Sequence, residues 1–145
     1  PLDFYGLGIN GKISELHAAM GLAVFESVET IIAARKKIVA FYNEHLDFTR
    51  LQKLKIRQNT DWNYSYYPVL FESEKKLLEV VTLLNENGIF PRRYFCPSLN
   101  TIDYVKGVAM PVSESVASRV LCLPLYVGLE YNAIEKISNL INLHL

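Results

Sequence analysis

Apolar positions along this chain recur in blocks. Their period shifts from three or four residues to two and back, and the order of blocks sets the expected architecture. Residues 13–28 carry Leu16, Ala19, Met20 and Val24 at helical spacing, with no charge between Glu15 and Glu26. The pattern predicts a helix capped by Ser14 or by the Asn10-Gly11 pair. Gly21 in its middle costs about 1 kcal/mol against Ala, and a glycine so placed points to another backbone packing close. Residues 29–45 predict a second helix, with Ile31, Ala34, Ile38, Phe41 and Tyr42 on one face and Arg35, Lys36 and Lys37 on the other. The second helix is amphipathic and the first is not. The contrast suggests that one covers the domain while the other is sandwiched at an interface.

Residues 50–61 are polar and patternless, a loop with a short strand at 53–56. From 62 to 71 the chain alternates and is mostly β-branched or aromatic, hence a strand, which Pro68 places at an edge or a bulge. Residues 74–87 predict a helix with Leu77, Val80, Val81 and Leu84 inward, Ser73 as N-cap and Gly88 at the stop. A strand over 89–97 then empties into a loop at 98–107. A short helix at 111–119, a buried strand at 120–125 and a last helix at 132–143, built on Ile134, Ile137, Leu140 and Ile141, complete the chain. The expected fold is α+β, with a short, mostly antiparallel sheet and packed helices.

Composition narrows the function classes. The 145 residues fit one domain, and a chain of this length buries about 70% of its unfolded surface. Fifteen basic and fifteen acidic residues balance, so nothing favours nucleic acid or an anionic membrane as a partner. Cys96 and Cys122 are far apart, without metal-ligand spacing, which points to reduced thiols, a cytoplasmic setting and no metal. No apolar run reaches the roughly 18 residues of a membrane span, and no signal peptide is visible. The chain begins at Pro1 rather than Met, which suggests a piece of a longer protein.

Candidate chemistry is sparse. His17, His45 and His144 share no ligand spacing; His17 reads as a packing histidine, and the other two suit helix C-termini. Two clusters remain. Asn10, Gly11 and Lys12 at a helix N-terminus present an amide, backbone N–H groups and an ammonium to an anion, or form a plain turn and cap. Arg92 and Arg93 lie on a strand, where successive side chains point to opposite faces, so both cannot serve one pocket without a twist. One is a candidate for phosphate or sugar hydroxyls, with Tyr94 and Tyr104 near it; the plain alternative is an edge strand with surface arginines.

These residues carry a family resemblance. Gly8, Asn10, Lys12, Glu15, Ala18, Ala19, Gly21 and Leu22 fall in register with the segment G-x-N-x-[RK]-[ML]-x-[ED]-x-x-A-A-x-G-L of the DegT/DnrJ/EryC1/StrS aminotransferases. Arg35 with Tyr42, the stretch from Gly88 and Ile89 through Arg92, Arg93 and Tyr94 to Pro97, and Leu121-x-Leu123-Pro124-Leu125 resemble later motifs of that family. The resemblance implies the small C-terminal domain of a fold type I, pyridoxal-phosphate-dependent enzyme that aminates keto-sugars carried on nucleotides. Residues 1–28 would then form an interdomain and dimer-interface loop and helix, and 29–145 the small domain.

By that resemblance Asn10 reaches across a homodimer to the cofactor phosphate, and Lys12 stands where the family usually has arginine. Gly11 replaces a frequent tyrosine. Arg92, Arg93, Tyr94 and Asn100 are the implied substrate contacts, Asn100 standing near the place of a family histidine. The Schiff-base lysine, the acid facing the pyridine nitrogen and the ring-stacking residue precede this segment in the family. No catalytic residue is therefore expected in this chain, which alone should be inactive and should require an N-terminal large domain. The implied reaction moves an amino group from an amino acid to a keto-deoxysugar of a dTDP-type nucleotide sugar. The rival readings are an oligomerisation or interaction domain without catalysis, and a dehydratase-type relative.

Overall fold

In the computed structural model the described residues are 11–94, 96–105 and 107–145. Among them the chain forms α1 (Glu15–Phe25), α2 (Val28–His45), β1 (Gln52–Lys53), β2 (Tyr67–Leu70), α3 (Glu74–Glu86), α4 (Pro111–Arg119), β3 (Val120–Leu123) and α5 (Tyr131–Asn142), with a 3-10 turn at Leu99–Thr101. The strands make an antiparallel sheet in the order β1-β2-β3. Four consecutive apolar residues make β3 buried along its whole length. With helices packed on this sheet, the architecture is α+β.

Strand content is smaller than alternation predicts, and proline is the reason. The strand expected over 89–97 contracts to a bridge at Arg92, whose N–H donates to the Cys122 carbonyl at 3.1 Å while the Cys122 N–H donates back at 2.8 Å. Pro91 and Pro97 on either side lack the N–H a longer ladder needs. Pro68, expected at an edge or bulge, lies instead in the middle strand. The Phe71 N–H donates to the Arg119 carbonyl at 2.9 Å. Alternation along the ladder then turns the backbone of Tyr67 and Val69 toward β3, and that of Pro68 and Leu70 toward β1. Since β1 ends at Lys53, opposite Val69, the missing N–H of Pro68 breaks no ladder bond.

The core forms where α2, α3 and α5 cover one face of the sheet. Ile38, Val39 and Tyr42 of α2, Leu77, Val80 and Leu84 of α3, and Ile134, Ile137 and Ile141 of α5 join Tyr67, Val69, Leu121 and Leu123 in one buried cluster. The tyrosine hydroxyls inside it are satisfied locally. The fully buried Tyr42 donates its hydroxyl to the Pro124 carbonyl at 3.1 Å and stacks on Tyr67, whose own hydroxyl donates to Asn43 Oδ1 at 2.9 Å. Burial drives both phenol pKa values upward. Asn142 joins the ends of α2 and α5: its Oδ1 accepts from the Asp47 N–H at 3.0 Å and its Nδ2 donates to the His45 carbonyl at 2.7 Å. His45 and His144 each bond the carbonyl four residues back, near a helix C-terminus.

Helix boundaries follow their caps. Ser73 Oγ accepts from the Lys76 N–H at 3.3 Å, and Gly88 takes φ 74° just past α3. Ser14 caps α1 by accepting from the His17 N–H at 3.4 Å, and the His17 ring bonds the same hydroxyl, so this histidine is exposed rather than packed. No residue of α1 is buried. Leu16 is 70% exposed, Met20 60% and Phe25 71%. A side chain on Gly21 would meet nothing within 4 Å, so the close backbone expected there is not supplied by the described residues. α1 bends away from α2 by 72°, and among the described residues no single helix is long and apolar enough to cross a membrane.

Candidate functional site

The bridge at Arg92 separates the two arginines. Arg93 turns toward the helices: its Nη2 donates to Glu74 Oε1 at 2.7 Å and to the Ser118 carbonyl at 3.0 Å, tying the strand to the start of α3 and the end of α4. Arg92 points to the opposite face. There its guanidinium lies over the Tyr94 ring, 5.7 Å from the centroid, and donates to the Tyr94 hydroxyl. Tyr66 meets Tyr94 edge-on at 5.2 Å. Sheet geometry brings these three together. Arg92 pairs with Cys122 and Cys122 with Pro68, so all three share a face, and Tyr66 and Tyr94 lie two residues from Pro68 and Arg92.

This cluster forms one wall of a groove of about 660 Å3, closed on its other side by Tyr126 and by Lys136 of α5. Leu123, Leu125 and Ile137 supply apolar lining, and burial pushes the Cys122 thiol pKa up. Among the described residues no carboxylate lines the groove, and neither Arg92 nor Lys136 is ion-paired. A groove with two cations, three tyrosines and no acid suits an anion that also carries a flat or apolar part.

Asn100 is not among the groove residues. Its Oδ1 accepts from Ser98 Oγ at 2.6 Å, and its Nδ2 donates to the Val108 carbonyl at 3.0 Å and to Glu114 Oε1 at 2.6 Å. Glu114 also accepts from the Met110 N–H at 2.7 Å, and these bonds hold its carboxyl below the usual carboxylate range. Ser98 continues the network to Ser113 at 2.7 Å. The amide of Asn100 is thus engaged at both ends in closing the loop that precedes α4.

Lys12 is exposed in the non-helical residues ahead of α1 and does not line the groove. Asn10 lies outside the described residues. The structure therefore unites Arg92 and Tyr94 and leaves Arg93, Asn100 and Lys12 elsewhere. Tyr66, Tyr126 and Lys136 were not singled out from the sequence. Alternation gave a signal for Tyr66, since it shares the Pro68 face. Lys136 and Tyr126 are brought in by the packing of α5 and the chain after β3, which no local pattern encodes.

Comparison with known proteins places this geometry in a family. The model of the DegT/DnrJ/EryC1/StrS aminotransferase family matches residues 3–142. A dTDP-4-amino-4,6-dideoxy-D-glucose transaminase from Escherichia coli is 35% identical over 143 residues, which is 92% of this chain and 38% of that protein. A transaminase of the same description from Shigella dysenteriae is 33% identical over 138 residues, 90% of this chain and 38% of its own length. Among solved structures, DesI in the presence of its TDP-sugar product superposes with a TM-score of 0.78 at 28% identity, covering 94% of this chain and 36% of that one. The chain spans well under half the length of these relatives. It belongs to the DegT/DnrJ/EryC1/StrS aminotransferase family.

Proposed function

We propose that this chain is the C-terminal small domain of a fold type I, pyridoxal-phosphate-dependent sugar aminotransferase. In this reading the whole protein exchanges an amino group between an amino acid and a keto-deoxysugar carried on dTDP, working in the cytoplasm as a homodimer. The observation that carries the proposal is the 35% identity, over 92% of this chain, to a transaminase acting on a dTDP-linked sugar. Residues 1–28 serve the interface with a large domain and a second subunit, and 29–145 form the small domain. The exposed apolar α1 supports this division, because a helix apolar all round is stable when covered.

The described residues fit the cofactor on one count. Lys12 offers an exposed ammonium just ahead of the N-terminus of α1 without an ion-pair partner among them, as a phosphate-side base requires. Asn10 is the second proposed phosphate contact. Pyridoxal phosphate supplies the electron sink for the transfer when bound. This chain contributes binding and orientation: Arg92 and Tyr94 hold substrate, and the loop fixed by Asn100 frames it. Arg93 acts from the far side of the strand, setting the strand's position through Glu74.

The test uses the full-length protein containing this chain. Given dTDP-4-amino-4,6-dideoxyglucose and 2-oxoglutarate, it should release glutamate and the matching 4-keto sugar in equal amounts, read by mass spectrometry. The 145-residue chain alone should release neither. Loss of water from the sugar without glutamate formation points to the dehydratase-type reading. No turnover with any amino or keto sugar nucleotide leaves the interaction-domain reading.

A further inference from the structure

Arg92 is exposed, and an exposed arginine ordinarily spreads its side chain over many rotamers. Here it is held. Its guanidinium lies over the Tyr94 ring and donates to the Tyr94 hydroxyl, so the position of that ring sets the position of the charge. Tyr66 packs against Tyr94 from the other element, with 5.2 Å between ring centroids and 67° between ring planes. The backbone in turn fixes Tyr66. It directly precedes Tyr67, the first ladder residue of β2, which pairs with Leu123 and is buried in the core. Successive side chains point to opposite faces, so burial of Tyr67 sends Tyr66 to the Arg92 face. The entry to β2 is fixed as well. Asn63 Oδ1 accepts from the Ser65 N–H at 3.1 Å, and the Trp62 and Tyr64 rings pack 4.4 Å apart. Tyr64 takes φ 52°, a left-handed conformation that a bulky residue keeps only where its surroundings impose it.

We propose that Tyr66 is a positioning residue, which orients Arg92 through Tyr94 without touching the substrate itself. The inference rests on the aminotransferase reading, in which Arg92 and Tyr94 hold substrate. The contact is made by the Tyr66 ring, and an aromatic pair of this geometry changes an equilibrium by about two- to tenfold. Its effect is on preorganisation. A substrate then meets a guanidinium whose freedom was given up on folding, so less ordering is left to oppose binding.

Steady-state kinetics of the full-length protein test the role. Tyr66→Leu should raise the KM for the sugar nucleotide about three- to tenfold. It should leave kcat and the KM for the amino acid within about twofold. Tyr66→Phe keeps the ring and should behave as the unmodified protein. In a Tyr94→Leu background, Tyr66→Leu should raise KM no further, because the residue through which it acts is gone. A further rise of the same size means that Tyr66 meets the substrate directly and overturns the proposal. So does a fall in kcat alone, or a Tyr66→Phe variant as impaired as Tyr66→Leu. A second measurement needs no turnover. Phenylglyoxal modifies guanidinium groups, and its rate at Arg92 in the 145-residue chain can be read by peptide mass spectrometry against the exposed Arg57. Modification of Arg92 should speed up about threefold or more in Tyr66→Leu and stay unchanged in Tyr66→Phe. Equal rates in all three chains overturn the proposal whatever the kinetics. If the full-length protein transfers no amino group, the aminotransferase reading fails, and the modification rates still decide whether Tyr66 orients Arg92.

Discussion

Gly107 shows how a single missing side chain can set the shape of a loop. A Cβ at that position would stand 2.7 Å from both Cα and Cβ of Asn100 and 2.8 Å from its carbonyl oxygen. Backbone atoms cannot rotate aside, so Gly107→Ala must push the two loop segments apart. That motion strains the bonds from Asn100 to Val108 and Glu114. A loss of about 1–3 kcal/mol in urea unfolding is expected, as for other overpacked sites. An unchanged midpoint would mean that the loop relaxes freely. The sequence announces little of this. Residue 107 reads as one more loop glycine, and Asn100 as a polar side chain available to a ligand, because their meeting depends on the path of the chain between them. Arg92 and Arg93 are the contrasting case. Their divergence follows from the two-residue period of an extended backbone, which needs no knowledge of the rest of the fold.

Elements were legible to the degree that their ends are chemically local. The helix read from Glu74 onward appears at Glu74–Glu86 because Ser73 and Gly88 mark its limits with their own backbone and side-chain chemistry. Ser73→Ala removes the acceptor for the Lys76 N–H and should cost about 1 kcal/mol of stability in chemical denaturation. Ser73→Asp, which keeps an acceptor, should restore most of it; equal losses in both variants would show that the cap contributes nothing. Strands were read less well. The alternating run at 62–71 keeps only Tyr67–Leu70 as ladder, since a strand extends only as far as its neighbour does, and β1 is two residues long. Sequence alternation reports which residues share a face. It does not report how long a partner strand runs beside them, so the groove's first wall was readable and its second, from α5, was not.

At the scale of the whole molecule, two parts behave differently. Residues from α2 onward close a core around the sheet, whereas α1 carries Leu16, Met20, Leu22, Val24 and Phe25 to solvent on all sides. Its sequence resembles a core helix, and that contrast between composition and burial requires a cover outside the described residues. The consequence is measurable on the chain alone. Leu16→Glu combined with Phe25→Glu removes apolar surface from α1 without touching the core, so the unfolding free energy should change by no more than about 0.5 kcal/mol, as for ordinary surface substitutions. The unmodified chain should associate as its concentration rises, in sedimentation velocity, and the double variant should stay monomeric over the same range. A large fall in stability in the variant would place α1 within the core's cooperative unit. If both chains stay monomeric, α1 does not pair with a second copy by itself, and its cover must come from a larger protein surface such as the proposed large domain.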